Sequence, residues 1–275
     1  MWTLSGFADE ISPDPREQCE VASGLGLKYL EIRSAWNVNI LDLDAGQLAT
    51  LQQTLKEWDL SVSSIGSPIG KIGIEEDFEP HLERMRHAAE VARQFGAPYI
   101  RIFSFFLPEG DDPDSHRDEV LRRMRALADV AEPYDAVLLH ENEKDIYGDI
   151  PRRCVDIVTS VGSAKLRLAW DAANFVQVGV RPFTEGYAQL RPYVDYIQIK
   201  DARLADSSVV VAGAGDGEVV ETIRALRDDG FDGFFSLEPH LNTGTAMGGF
   251  SGPDLFRTAW QAFTDMLKAE GIDYV

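Results

Sequence analysis

The sequence predicts an α/β barrel made of eight repeated β-strand and α-helix units, a (β/α)8 barrel. Short β-branched or aromatic runs alternate with amphipathic stretches along the whole chain, which is the pattern of repeated βα units. The length of 275 residues fits one barrel, since such barrels reach roughly 250 residues as a single domain. No Pro/Gly/Ser linker or charge run divides the chain, so we expect one domain over residues 1–275.

Eight short apolar runs are predicted to be the barrel strands, because β-branched and aromatic residues are frequent in them and polar residues or glycines bound them. They lie at residues 4–7, 29–33, 61–66, 99–103, 137–140, 167–170, 196–199 and 234–237. Eight strands close a barrel. Since all strands of such a barrel run in one direction, the residues that follow them are brought together at one end.

A helix is predicted after each strand, at residues 14–26, 44–58, 75–95, 114–131, 151–161, 183–190, 219–230 and 254–270. The first has a clear start, with Asp14 as cap and Pro15 in the first turn, and Gly96 ends the third. Three connections are longer than a turn requires, at residues 34–42, 66–74 and 243–251. Long loops at this end of a barrel commonly cover a substrate, so these are candidate lids.

Composition and charge exclude several classes of protein. Hydrophobic residues at 44% and charged residues at 26% are ordinary for a globular protein with a large core. No run of about 18 apolar residues and no signal peptide is present, so we expect a cytoplasmic protein without a membrane partner. The net charge of −20 repels phosphate backbones, so nucleic acid is not an expected partner.

Acidic or amide residues stand at the end of, or just past, four consecutive predicted strands: Glu141, Asp171, Gln198 and Glu238. A single acidic residue in this place more often caps a helix or forms a salt bridge. Four of them around one wall of a barrel form an oxygen-rich cage, which suits a hard or borderline divalent cation. On the fifth strand, Glu143 is the alternative to Glu141, because the spacing alone does not settle which of them points inward.

Basic residues near the same strand ends are candidates for binding the substrate. Lys200 follows Gln198 by two residues and so faces the same side of its strand, where it meets a substrate oxygen or pairs with a carboxylate. Arg33, Lys71 and Arg101 are placed to meet a phosphate or acidic substituent, and a structural ion pair is the alternative for each.

Aromatic and histidine side chains give weaker indications. Trp36 is a candidate apolar wall for a sugar ring, with a core position as the alternative. His240 either contacts substrate or packs within its loop, and His140 is expected in the core or behind the site. The remaining histidines are expected on helix surfaces: His81, His87 and His116.

Seven motifs together resemble those of the sugar phosphate isomerase/epimerase superfamily, the xylose isomerase-like TIM barrels. They are residues 6–10 (GFADE), 67–71 (SPIGK), 140–149 (HENEKDIYGD), 170–175 (WDAANF), 197–201 (IQIKD), 213–217 (GAGDG) and 237–240 (LEPH). The resemblance covers nearly the whole chain. It is specific for the superfamily but not for one substrate.

The resemblance implies a metal site. In the family pattern, a glutamate, an aspartate, a histidine and a glutamate from strands five to eight bind one divalent cation, and these become Glu141, Asp171, Gln198 and Glu238. Gln198 stands where the family has histidine, and Asn174, a candidate substrate ligand, replaces a second family histidine. An all-oxygen set favours Mg²⁺ or Mn²⁺, with Zn²⁺ or Co²⁺ as alternatives.

The resemblance also implies a metal-dependent isomerase or epimerase that acts on a small polyhydroxy ketone, a sugar or a sugar phosphate. Glu141 and Glu238 are then the groups that remove and return a proton. An inosose-type dehydratase and a sugar-binding barrel without catalysis are the alternatives. A DNA-cleaving member is disfavoured by the charge and by the five histidines, most of them far from the strand ends. Barrels of this family often pair, so a homodimer is possible.

Overall fold

The computed structural model describes residues 1–242 and 250–275, and it confirms the (β/α)8 barrel. Eight parallel strands, β1 to β8, are Thr3–Gly6, Tyr29–Ile32, Ser61–Ile65, Tyr99–Ile102, Val137–Glu141, Leu166–Asp171, Val194–Ile199 and Phe234–Leu237. They pair in sequence order from β2 to β8, and β8 pairs with β1. β1 and β2 are the two ends of this strand order, and an isolated bridge between Phe7 and Glu31 joins them and nearly closes the barrel.

Seven of the predicted helices form with small shifts in their ends: Pro15–Gly24, Ala45–Glu57, Glu79–Phe95, Arg117–Ala131, Pro151–Val161, Val219–Asp228 and Pro253–Ala269. Residues 183–190 are helical, as predicted, but they do not form one regular α-helix. A π-helical turn, Pro182–Tyr187, leads there into the short segments Ala188–Leu190 and Arg191–Tyr193. Gly186 lies in this segment, has a low helix propensity and packs closely against Pro151, which disfavours a regular α-helix there. Within the described residues, no helix combines the length and apolar character needed to cross a bilayer.

Two short helices were not predicted, and both bring polar residues to the strand ends. Ala8–Ile11 follows β1 and carries Asp9 and Glu10. Ala172–Gln177 follows β6, and its cap is Asp171, whose carboxylate accepts the Asn174 N–H at 2.9 Å. These helices begin directly at the ends of strands, so their first residues lie at the same end of the barrel as the predicted cage.

The connection at residues 66–74 is joined to neighbouring segments by hydrogen bonds, and its role as a lid stays a prediction. Gly70 lies in the left-handed region at φ +90°, and its N–H donates to His81 Nε2 at 2.7 Å. The Gly70 carbonyl accepts the N–H of Phe105 at 3.0 Å. A Cβ at Gly70 would lie 2.0 Å from the Phe103 carbonyl oxygen, so only glycine fits.

His81 was therefore assigned wrongly to the surface. It is 7% exposed, and burial lowers its pKa to about 4, so the neutral ring accepts the Gly70 N–H at ordinary pH. The connection at residues 34–42 is also ordered, as a hairpin of Ser34–Ala35 and Val38–Asn39 followed by a 3-10 turn. For the third candidate lid, residues 243–249 lie outside the described residues.

Apolar side chains fill the space between strands and helices, but the barrel interior contains a polar network. Glu31 Oε2 accepts hydrogen bonds from Tyr196 Oη at 2.9 Å and Ser236 Oγ at 3.0 Å. Ser63 links Tyr196 to Ser5, at 2.9 and 2.7 Å. Burial raises the pKa of Glu31 to about 7, although Arg101 opposes the shift.

Candidate active site

Three of the four predicted cage residues bring carboxylates together at the carboxyl ends of the strands. Glu141 ends β5, Asp171 ends β6 and Glu238 follows β8. One oxygen from each lies within 4.8 Å of the others, and all three residues are at most 2% exposed. We call these residues the carboxylate triad. Their sequence separation is large, but the barrel places the three strand ends around one centre.

Two amides fix Glu141 within the triad. Gln198 Nε2 donates to Glu141 Oε2 at 3.0 Å, and Asn174 Nδ2 donates to Glu141 Oε1 at 3.0 Å. Gln198 Oε1 is buried and accepts no hydrogen bond from any residue that the structure describes. An unpaired buried acceptor costs about 1–3 kcal/mol. Three carboxylates and one unpaired amide oxygen are the donor atoms that Mg²⁺ or Mn²⁺ prefers, so these residues fit a divalent cation.

Basic side chains compensate much of the triad's charge. Lys200 Nζ lies 2.7 Å from Asp171 Oδ2 and 3.1 Å from Glu238 Oε2. Arg101 lies 3.2 Å from a Glu141 oxygen and 3.7 Å from a Glu238 oxygen. These contacts support the interpretation of Lys200 and Arg101 as ion-pair partners. Both side chains also border the pocket, so an ion pair does not prevent contact with a ligand.

The three triad carboxyls have different proton affinities. Burial raises the pKa of Glu141, and Arg101 offsets only part of that effect. Burial likewise raises the pKa of Asp171 to about 7, because Lys200 compensates it incompletely and the other triad charges add to the shift. Burial also disfavours ionisation of Glu238, but Lys200, His240 and Arg33 outweigh it and hold the pKa well below its usual range.

A second group of charges, which the sequence did not indicate, surrounds Arg33. Its guanidinium pairs with Asp9 at 2.7 Å, Glu10 at 3.3 Å and Glu238 at 2.8 Å. His240 Nε2 lies 3.1 Å from Glu10 and 3.3 Å from Glu238. Burial favours a neutral His240, but the carboxylate of Glu238, together with Glu10, raises its pKa to about 9. The motif at residues 6–10 was noticed, but nothing in it reveals that Arg33 completes the group.

A pocket of about 660 Å³ opens above the triad. Most of the predicted site residues line it: Glu141, Glu238, Asn174, Lys200, His240, Arg33, Lys71 and Arg101. Asp171 and Gln198 are buried and do not line it. Trp36 is half-buried against the core and does not line it either, whereas its neighbours Asn37 and Asn39 do.

The structure places Glu141 and Glu143 in different surroundings. Glu141 belongs to the triad, while Glu143 pairs with Lys71 at 3.3 Å nearer the solvent. His140 lies in the core, where its ring contacts Ser104 Oγ at 2.9 Å and burial lowers its pKa to about 3. Lys144 and Gln177 also line the pocket and were missed. The only sequence signal for them is their position shortly after β5 and β6.

An eight-stranded barrel with acidic residues at the ends of β5, β6 and β8 defines a class of α/β-barrel proteins with a polar pocket at the carboxyl end. A family model described as xylose isomerase-like TIM barrel matches residues 19–268. The chain belongs to this family.

Curated relatives and solved structures agree with this assignment. The chain is 22% identical over 174 residues to 3-dehydroshikimate dehydratase of Bacillus anthracis, covering 62% of this chain and 61% of that protein. It is 31% identical over 150 residues to 2-epi-5-epi-valiolone 7-phosphate 2-epimerase of an Actinoplanes species, covering 54% and 52%. The matches thus span only about half to three fifths of these relatives.

Two solved structures illustrate the similarity in fold. A D-tagatose 3-epimerase-like protein superposes with a TM-score of 0.79 at 14% identity, over 97% of both chains. A xylose isomerase-like TIM barrel protein from Mycobacterium smegmatis, in complex with magnesium, gives a TM-score of 0.69 at 20% identity, also over 97% of both chains. At these identities the likeness shows the fold alone.

Proposed function

We propose that this protein is a divalent-metal-dependent isomerase or epimerase, which moves a proton at the carbon next to a carbonyl in a small polyhydroxy substrate. The observation that carries the proposal is the carboxylate triad, with its oxygens within 4.8 Å of one another beside the unpaired Gln198 Oε1. Similarity to an epimerase supports the class of reaction. One barrel domain over residues 1–275, a cytoplasmic location and pairing of barrels stay predictions.

Glu141, Asp171, Gln198 and Glu238 would hold the cation, and the all-oxygen set favours Mg²⁺ or Mn²⁺ over Zn²⁺ or Co²⁺. When bound, such a cation supplies a Lewis acid that polarises a carbonyl group. The magnesium complex of the Mycobacterium smegmatis protein is consistent with this choice.

The residues of the chain supply the proton transfers. Glu141 and Glu238 both line the pocket, and their pKa values are shifted in opposite directions. Both carboxylates flank the pocket, so one of them would take the proton from the substrate and the other would return it. Return to the other carbon is isomerisation, and return to the opposite face is epimerisation.

Other side chains position these groups and stabilise charge. Asn174 and Gln198 each donate to one Glu141 oxygen, which fixes the plane of the carboxyl group. Lys200 lies at the pocket surface between Asp171 and Glu238, where an ammonium stabilises negative charge that develops on a substrate oxygen. Arg33 holds Glu238 from the other side at 2.8 Å.

Dehydration is the second candidate, and His240 is the observation that favours it. Its ring borders the pocket 3.3 Å from Glu238, and its pKa of about 9 keeps it protonated at neutral pH. An imidazolium there is a suitable acid for a departing hydroxyl. Similarity to a dehydratase supports the same alternative. A sugar-binding barrel without catalysis is the third, and it predicts binding with no proton exchange.

Solvent exchange tests the proposal. Mn²⁺-loaded protein is incubated with a panel of ketoses in D₂O, and deuterium uptake is followed by NMR and mass spectrometry. We expect exchange in wild-type protein and in Glu20→Gln, an exposed control, and its loss in Glu238→Gln. Mass spectrometry separates the two reactions, since only dehydration removes water. Binding of a ketose without exchange would overturn the proposal in favour of a binding protein.

A further inference from the structure

The pocket differs in charge from the rest of the molecule. The chain carries 46 acidic and 26 Lys or Arg residues. Among the described residues that line the pocket, however, the basic ones outnumber the acidic ones, with Arg33, Lys71, Arg101, Lys144 and Lys200 against Asp9, Glu141, Glu143 and Glu238. A strongly acidic protein repels anions in general. Asp171 and Glu10, which pair with Lys200 and Arg33 behind the pocket surface, offset this small excess, so the indication of an anionic ligand comes from the outer lysines, Lys71 and Lys144.

The five basic residues of the pocket fall into two groups: inner ones that pair with the buried carboxylates, and outer ones that lie nearer the solvent. Arg33, Arg101 and Lys200 are already committed to the triad and its neighbours, at 2.7 to 3.7 Å. Lys71 and Lys144 are nearer the solvent. The Lys71 side chain is 35% exposed, and Lys144 is exposed and pairs with no acidic residue in the described part of the chain. These two lysines are the cations most available to a ligand.

Lys71 is presented by a fixed backbone. The preceding residue is Gly70, whose N–H is held by His81 and whose carbonyl is held by Phe105. The Lys71 ammonium lies 4.2 Å from the centre of the Phe103 ring, a cation–π contact that directs it along the pocket wall. Its position is therefore built into the fold rather than left to a mobile surface side chain.

Lys144 is attached to the same wall. The connections after β3, β4 and β5 are joined by backbone bridges from Gly73 to Phe106 and from Phe106 to Ile146. The Leu107 N–H also donates to the Asp145 carbonyl at 3.0 Å, next to Lys144. Loop backbone that is joined in this way opens less easily than a free loop. Lys71 and Lys144 are thus held on one side of the pocket.

Lys71 and Lys144 are close to the triad. Glu143, which pairs with Lys71 at 3.3 Å, follows Glu141 by two residues. Glu141, Glu238, Lys71 and Lys144 line one pocket of about 660 Å³, so a single small molecule bound there is able to contact both the triad and the two lysines.

We propose, building on the function above, that the substrate is a polyhydroxy carbonyl compound with an anionic group, a carboxylate or a phosphate, bound by Lys71 and Lys144. Glu143 balances one of the two lysines in the free protein. The anion takes up the remaining charge of Lys144 and shares Lys71 with Glu143 and the Phe103 ring. Neutral sugars lack this contact and bind more weakly.

Calorimetry on metal-stripped protein at constant ionic strength tests the proposal with three probes of similar carbon skeleton. They are gluconate, glucitol 6-phosphate and neutral glucitol. We expect at least one anionic probe to bind more tightly than glucitol, and Lys144→Gln to weaken it about tenfold, the size of one charge-assisted hydrogen bond. Lys56→Gln is the matched control, because it removes the same charge from an exposed helix position outside the pocket.

The two anionic probes identify the source of the charge, since tighter binding of one indicates a phosphate or a carboxylate. Glucitol binding as tightly as both anions, or equal effects of Lys144→Gln and Lys56→Gln, would overturn the inference. Its failure is separable from failure of the proposed function. Exchange on a neutral ketose without anion binding rejects only the inference, and anion binding without exchange on any substrate rejects only the function.

Discussion

Glu31 provides a quantitative test of the electrostatics inside the barrel. It is fully buried, and burial raises its pKa to about 7, with Arg101 as the main opposing charge. Its carboxyl accepts hydrogen bonds from Tyr196 and Ser236 through Oε2, while Oε1 has no hydrogen-bond partner among the described residues. Replacement by glutamine keeps the size and the hydrogen-bonding oxygen of the side chain but removes its ionisation.

The sign of the effect follows from the direction of the shift. The pKa is higher in the folded protein than in the unfolded chain, so folding favours the protonated form of Glu31. Stability from this group is complete below a pH of about 4.5 and falls as the pH rises to about 7. Between pH 5.5 and 8 the loss is about 2 kcal/mol, from 1.36 kcal/mol per pKa unit.

Urea denaturation of wild type, Glu31→Gln and Glu20→Gln at pH 5.5 and 8 measures this loss. We expect the free energy of unfolding of Glu31→Gln, relative to wild type, to rise by about 2 kcal/mol between the two pH values. Glu20 is exposed, so its variant should track wild type at both. A difference between Glu31→Gln and wild type that does not change with pH would refute the reasoning.

Three further substitutions test the site and its support. Gln198→His adds a nitrogen ligand and should shift the metal preference from Mg²⁺ toward Zn²⁺ or Co²⁺, as competition titrations would reveal. Gly70→Ala meets the Phe103 carbonyl and should lower the free energy of unfolding by about 3 kcal/mol or more, whereas Gly24→Ala, with open space around it, should change it little. Lys200→Met leaves the buried Asp171 without its ion-pair partner, while Glu238 keeps Arg33, and should destabilise the protein by about 3 kcal/mol, of which Mn²⁺ should restore part. Equal thermal shifts with and without Mn²⁺ would contradict the last expectation.

The barrel and the convergence of the triad at one of its ends could be predicted, because both depend on local pattern. Apolar runs mark the strands, and one barrel end collects whatever follows them. This is why Glu141, Asp171 and Glu238 were found although no sequence pattern reports their distances. The segment at residues 183–190 is helical, as predicted, but its first part is a π-helical turn, which the sequence pattern does not distinguish from an α-helix.

What the sequence did not reveal depends on contacts between distant segments. Arg33 meets Glu238 across 205 positions, and nothing near either residue indicates the other. His81 resembles a surface histidine on its helix until Gly70 is placed against it. The hydrogen bonds that join the loop at residues 66–74 to neighbouring segments have the same origin.

Metal binding by the triad is the central claim, and calorimetric titration of Mn²⁺ into metal-stripped protein tests it most directly. At pH 8 Asp171 is largely ionised, because its pKa is about 7. We predict one site in wild type and in the Glu20→Gln control, and at least about tenfold weaker binding in Asp171→Asn, which loses one anionic ligand. No Mn²⁺ uptake by the wild-type protein, or equal affinity in Asp171→Asn, would contradict the account.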